Sequence, residues 1–216
     1  MQTTQRPGSL DVFGKDASFV FAQTFIAGFS ILKGSTAFKP PNIEYRVSLA
    51  YQINHVNVPE RRVLFVEPSK PTHRTDTFLG VQELFVDKHL GNDSDRYDFH
   101  SIRIGIQPFQ SDFRGFLFND SQLGIRLFGN RDNNHWQYNV AWLRKMEKDT
   151  NSGLNDLGRA PRKDYVIAAN AYRQDWPVFG HTTQGTVILN INREKSGDFY
   201  DNNGFLVRPA VLGNSR

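Results

Sequence analysis

Arg46, Arg103 and Arg126 are the residues of this 216-residue chain best placed to do chemistry. Each stands at a polar position in a run where polar and apolar residues alternate, so a guanidinium projects from the polar face of three separate segments. A guanidinium carries a fixed charge and five donors, and its chemistry is anion recognition or carboxylate pairing. Gln107 shares the polar face of Arg103. The stretch 109–120 reads Phe-Gln-Ser-Asp-Phe-Arg-Gly-Phe-Leu-Phe-Asn-Asp and sets Asp112 and Arg114 among four phenylalanines. In one reading this stretch folds inward and Asp112 and Arg114 set a field across a passage. In the other they form a structural ion pair while the phenylalanines cap a wall, and this second reading is preferred. For the three arginines, pairing with acids such as Glu44 and Asp112 is likewise preferred over an anion-favouring lining. The segments of Arg46 and Arg103 are not neighbours, so no continuous arginine ladder is expected.

Other chemistries find no support. The histidines at 55, 73, 89, 100, 135 and 181 are scattered without ligand spacing. Asp93, Asp95 and Asp98 sit close together, but their loop lacks the turn glycine and distal glutamate of a calcium hand, and Arg96 stands among them. Gly153 and Gly158 are not followed by the Lys-Ser/Thr of a phosphate loop. No Gly-x-Ser-x-Gly is present. Cysteine is absent, which removes disulfides and thiolate metal sites. The net charge of +4 is spread along the chain without a basic block, so no nucleic-acid partner is expected. Neither an enzyme nor a cofactor is expected.

What must position the arginines is a series of long alternating strands. The period-two pattern predicts strands at Val20–Leu32, Ile43–Asn57, Thr77–Leu90 and Asp98–Pro108. Four more follow at Gln122–Asn130, His135–Met146, Asp164–Trp176 and Thr182–Arg193, with the start of a ninth at Phe205–Gly213. Tyr45, Val47, Leu49, Tyr51 and Ile53 oppose Glu44, Arg46, Ser48, Gln52 and Asn54; Leu123, Ile125 and Leu127 oppose Gln122, Gly124 and Arg126. Most of these runs reach the ~9–11 residues that a tilted strand needs to cross hydrocarbon, against about 5–6 for an ordinary strand. Their polar faces favour Gln, Asn, Ser, Thr, Gly and Arg over Lys and Glu, a mixture suited to a crowded, wet interior. The third run conflicts with itself, because Glu83, Asp87 and His89 fall in phase with Leu79, Val81 and Phe85; a bulge would resolve this.

Connections after the third, fifth and seventh predicted strands are short, and those after the second, fourth, sixth and eighth are longer and polar, such as Glu147–Lys163. Short turns on one side and long loops on the other are the one-dimensional form of a transmembrane β-barrel. Eighteen Phe, seven Tyr and three Trp alongside a mean hydropathy of −0.51 fit a sheet with one lipid face and one wet face. The expected fold class is therefore all-β, an antiparallel transmembrane β-barrel segment of about eight or nine strands. It forms a single unit over residues 1–216 with no separate domain. Short connections follow the odd-numbered strands and a ninth strand only begins, so the expectation is part of a larger barrel, lacking its signal sequence and closing strands.

The stretch Ser101-Ile102-Arg103-Ile104-Gly105-Ile106-Gln107-Pro108-Phe109, then Asp112-Phe113-Arg114-Gly115-Phe116, then Gly124-Ile125-Arg126-Leu127-Phe128-Gly129-Asn130, resembles uncharacterised porin-like outer-membrane proteins of Gram-negative bacteria. More distantly it is similar to the alginate-export type of barrel. The shared pattern is a strand of the form Arg-x-Gly-x-Gln, a loop with Asp and Arg, and a glycine-rich strand. The resemblance is closest over 84–156 and looser elsewhere. It implies an outer-membrane barrel, porin-like or transport-related, with the lipid bilayer as partner and small hydrophilic solutes in its lumen; it implies no particular solute or oligomeric state. The rivals are a non-conducting surface or scaffold barrel, plugged by loops such as Phe109–Asp120, and a soluble β-sandwich or lipocalin-like binding module.

Overall fold

The alternating runs do pair with one another. In the computed structural model, which describes residues 2–3, 18–35, 41–57, 69–94, 98–111, 115–149, 152–194, 199–200, 204 and 206–208, no helix occurs among the described residues. After the two-residue β1 (Gln2–Thr3) come eight long strands: β2 (Ser18–Lys33), β3 (Ile43–Asn57), β4 (His73–Asn92), β5 (Phe99–Gln110), β6 (Asn119–Arg131), β7 (Trp136–Arg144), β8 (Asp164–Gln174) and β9 (Thr182–Asn192). They form one antiparallel sheet in the order β1 to β9, every strand beside its neighbour in sequence. The sheet is not closed among the described residues: its edges are β1 and β9. The expected ninth strand behaves differently. Residues 206–208 form β11 (Leu206–Arg208), which pairs with β10 (Phe199–Tyr200) in a separate two-stranded sheet; the remainder of Phe205–Gly213 lies outside the described residues.

Strand β4 starts four residues before the predicted Thr77, because His73–Asp76 continue the ladder against Asn54–Asn57 of β3. That polar stretch carries no alternation to announce it. The phase conflict in β4 is resolved by a bulge: the register shifts between Ser48 and Leu49 of β3, whose partners are Glu83 and Val81. Below the bulge Leu79 faces out and Phe78 in; above it Leu84 and Val86 face out, with Phe85 and Asp87 in. A one-residue insertion turns each later side chain to the opposite face.

One face of the sheet exposes a continuous apolar row, while the other buries polar side chains together with apolar ones. Following the register from strand to strand gives one row, Ile31–Tyr45–Val86–Ile104–Ile125–Trp142–Ile167–Leu189. It crosses all eight long strands, and every member is apolar or aromatic and 36–53% exposed. At ~4.8 Å between strands the row is roughly 35 Å wide. On the opposite face, Gln52, Asn54 and Gln107 are each 0% exposed, and Gln122, Ser101 and Asn170 are buried as well. Soluble proteins bury apolar groups and rarely expose a contiguous apolar patch above a few hundred Å².

The exposed apolar band also climbs across the sheet. At β2–β4 it extends below the central row, through Phe25, Tyr51 and Leu79, and is bounded above by Lys33 and Lys88. At β7–β9 it extends above, through Val140, Ala169 and Val187, and is bounded below on β7 by Arg144. The strand ends climb in the same sense. Asn57 lies twelve residues below Tyr45, Gln110 six below Ile104, and Arg144 two below Trp142. At the other end Lys33 lies two above Ile31 and Gln174 seven above Ile167. A constant drift of register is what tilts strands relative to the axis of a curved sheet.

Candidate functional site

The inner face of β3–β6 brings the three sequence-predicted arginines together. Arg103 and Arg126 are direct cross-strand partners, as are Asp87 and Arg103, and Glu44 and Asp87. Four adjacent strands thus carry Glu44, Asp87, Arg103 and Arg126 in one row, acids on β3–β4 and bases on β5–β6. Arg46, one position lower on β3, faces Phe85. Two like charges placed opposite each other repel, and aromatic rings intervene here. The Arg103 guanidinium lies 4.2 Å from the Phe85 ring centroid and 5.4 Å from that of Phe128. Arg126 lies 4.6 Å from Phe128 and 5.5 Å from Phe109, and Arg46 lies 5.6 Å from Phe85. The result is an alternating series Arg46–Phe85–Arg103–Phe128–Arg126–Phe109, each contact within cation–π range.

The expectation of no continuous ladder holds for the guanidinium groups alone. Rings at positions 85 and 128 complete the series; the alternation left the face of Phe85 undecided, and the bulge sets it inside. Carboxylate pairing divides the arginines. Arg46 contacts Glu44 at 2.6 Å and Glu83 at 3.9 Å. Arg103 donates Nε and Nη2 to one oxygen of Asp87, at 3.0 and 2.7 Å. Arg126 donates Nε to Asn139 Oδ1 at 2.7 Å and has no carboxylate partner among the described residues. Gln107 is structural: its amide bridges the carbonyls of Arg103 and Gly124, at 3.3 and 3.1 Å, locking β5 to β6. Beside this series lies a concavity of about 510 Å³, whose polar lining among the described residues is Arg103, Arg126, Gln110, Asn119, Gln137, Asn139 and Tyr172.

Asp112 and Arg114 lie outside the described residues; the residues flanking them are described. Ser111 is buried, and its carbonyl accepts Asn170 Nδ2 on β8 at 2.5 Å and Thr186 Oγ1 on β9 at 3.3 Å. Both partners occupy the inner face, so Ser111, where the β5–β6 connection begins, lies against the inner face of β8–β9. The phenylalanines divide. Phe109 is buried in an apolar cluster with Ala141, Leu143, Val166 and Ala168, and Phe118 packs on it, whereas Phe116 is 89% exposed.

The long β7–β8 connection also returns over the sheet. Asp156 makes a backbone bridge to Gly80 of β4, where a side chain would collide with the Asn155 carbonyl. Buried Asn155 donates Nδ2 to the carbonyls of Val81 and Ser121, at 3.0 and 3.1 Å. Lys148 pairs with Asp120, and Met146 packs with Val81 and Ile106. Sequence reading did not single out Asn155; an amide between Leu154 and Asp156 in a polar loop gives no signal of a partner 74 residues away.

At the opposite end of the strands, buried Asp98 ties two hairpins together. Its carboxylate accepts the backbone N–H groups of Asn133 and Asn134, at 3.0 and 3.2 Å, and the Ser94 hydroxyl at 2.8 Å. Asp132, Asn133 and Asn134 all adopt positive φ (54–66°), a conformation that Asn and Asp tolerate best among non-glycine residues. The cluster Asp93/Asp95/Asp98 is therefore built as turn chemistry where it is described. Among the described residues no group of three His, Cys, Asp or Glu side chains is placed to hold a metal. Comparison of the chain with protein-family models, with curated proteins and with solved structures finds no match.

Proposed function

We propose that this chain is a wall segment of a Gram-negative outer-membrane β-barrel, porin-like or transport-related, with lipid against its apolar face and a polar lumen for small hydrophilic solutes. The observation that carries the reading is the exposed apolar row from Ile31 to Leu189, backed by buried amides and ion pairs on the other face. An exposed apolar row of this extent costs hydration free energy in water and is natural against a bilayer. Backbone groups need internal partners in hydrocarbon, and sequential strand pairing supplies them wherever strands are paired on both sides. The short connections are assigned to the periplasmic side and the long ones to the exterior.

The contacts of Ser111, at the start of the β5–β6 connection, with Asn170 and Thr186 favour a second reading of the same barrel as narrow or non-conducting. Three measurements separate the possibilities. The chain is refolded with phosphatidylcholine vesicles, its migration on a gel is compared before and after boiling, and single-channel current is recorded. A heat-dependent shift with discrete conductance supports the channel; a shift without conductance supports the scaffold. A chain that is monomeric and folded without detergent or lipid refutes both and turns attention to a soluble binding module.

A further inference from the structure

We propose that the outer face of β7–β9 holds a binding site for an anionic glycerophospholipid of the leaflet on the short-turn side, an inference that rests on the membrane reading above. The central rows of the band are filled by large side chains, but one row higher the wall opens. Ala171 on β8 pairs directly with Gly185 on β9, and neither fills the space before it. A Cβ built on Gly185 would meet no atom within 4 Å. The resulting groove, about 410 Å³, is lined by Trp136, Ala171, Arg173, Trp176, Thr183 and Gly185. Its walls are almost wholly apolar, and it continues the exposed band of Val187 and Leu189.

The rim supplies the charge. Arg173 pairs in register with Trp136 and Thr183, and its guanidinium stacks 4.5 Å from the Trp136 ring. Among the described residues its Nε is buried without a hydrogen-bond partner. The nearby acid Asp175 is engaged, accepting the Gly180 N–H at 2.7 Å and lying 3.7 Å from His135. An unsatisfied guanidinium at the margin of an apolar groove fits one kind of ligand. A hydrocarbon chain occupies the gap over Gly185 and Ala171, and a phosphate at headgroup depth takes the free donors of Arg173. Two tryptophans flank the same level, the position at which aromatic girdles meet headgroups. A neutral zwitterionic lipid fills the gap equally well but gains less from the cation, so the site distinguishes headgroups by charge.

The test uses the two tryptophans as reporters. The Trp142→Phe variant, which removes the mid-band fluorophore, is refolded into phosphatidylcholine vesicles containing bromine-labelled chains on either phosphatidylglycerol or phosphatidylcholine. Brominated phosphatidylglycerol should compete for the groove about tenfold more effectively. Arg173→Gln should bring that preference to about one, while Gly185→Leu, which fills open space and disturbs no contact, should reduce quenching by both lipids. Equal quenching by both lipids in the unsubstituted groove overturns the proposal while leaving the membrane reading intact. An unaltered preference in Arg173→Gln overturns it as well. Absence of quenching by either lipid overturns the membrane reading and this inference together.

Discussion

Replacing Ile125 with arginine separates a lipid-facing wall from a water-facing one. Ile125 occupies the middle of the exposed row, between Ile104 and Trp142, and is 43% exposed. If water covers this face, a charged residue here is an ordinary surface substitution, within about 0.5 kcal/mol of neutral. If hydrocarbon covers it, an arginine near the midplane of a barrel wall costs about 2–4 kcal/mol, a roughly 30- to 700-fold change in the folding equilibrium. The control is Thr77→Arg on the same face of β4, paired with Ile53 and eight residues along β3 from the central Tyr45. At this margin of the band the expected cost is about 0–1 kcal/mol. Both variants are unfolded with urea in phosphatidylcholine vesicles and followed by tryptophan fluorescence. An Ile125→Arg cost that matches the Thr77→Arg cost would refute the assignment of this face to lipid.

Three further outcomes follow from the inner face and the turns. In a conducting barrel, Arg126→Gln should move the ion preference toward cations by up to about fourfold, since a unit charge ~5 Å from a permeating ion in water contributes roughly 0.8 kcal/mol. The double variant Arg46→Gln/Glu44→Gln removes a pair and should leave the reversal potential unchanged; equal shifts in the two would contradict the pairing scheme. Asp98 is held below the ordinary carboxylate range, chiefly by the Asn133 N–H, which outweighs the opposing effect of burial, with Ser94, Asn134 and Asp132 each adding less. Its contribution should be complete above the unfolded value near pH 4 and be lost as pH falls through the lower folded value. Asp98→Asn should flatten that part of the acid-unfolding curve, and an unchanged curve would discount the linkage between hairpins. Gly105 has φ +131°, and a Cβ there would strike the Leu84 carbonyl oxygen and Phe85 Cα. Gly105→Ala should cost about 2 kcal/mol or more, read as a lower urea midpoint; a neutral result would mean that β5 relaxes freely at this point.

The strands were legible because a sheet with two chemically distinct faces writes its period directly into the sequence. The Ile43–Asn57 limits match the observed β3, and the alternation on β6 and β7 assigns the exposed and inner faces as the structure has them; on β5 it does so for Ile104, while Ile106 is buried under Met146. Boundaries failed where pairing, not alternation, decides. His73–Asp76 join β4 through contacts with β3, and Phe109–Gln110 extend β5 through contacts with Asp120 and Asn119. The ladder of rings and arginines was only half visible. Arg46, Arg103 and Arg126 were identifiable as polar-face residues, but register depends on how many residues each connection consumes. The bulge that carries Phe85 inward showed only as the phase conflict of Glu83, Asp87 and His89 with Leu79, Val81 and Phe85, which does not say where the extra residue sits. Asn155 and the closure over Gly80 were invisible for a related reason: a loop's destination depends on its partners' positions in space, which no local pattern encodes.

The strict meander has a consequence for how such a wall changes over evolutionary time. Each strand from β2 to β8 depends only on the strands immediately before and after it, so a duplicated or deleted hairpin at an edge leaves every other register intact. Each added pair widens the wall by about 10 Å. The width of the sheet is therefore a quantity set by repetition, adjustable without redesigning the strands already present. The two loop-mediated closures, Ser111 onto Asn170 and Thr186 and Asn155 onto Val81 and Ser121, are the exceptions. They fix the spacing between non-adjacent strands, so hairpins inside the β4–β9 interval are inherited as a block while those outside it are free to multiply.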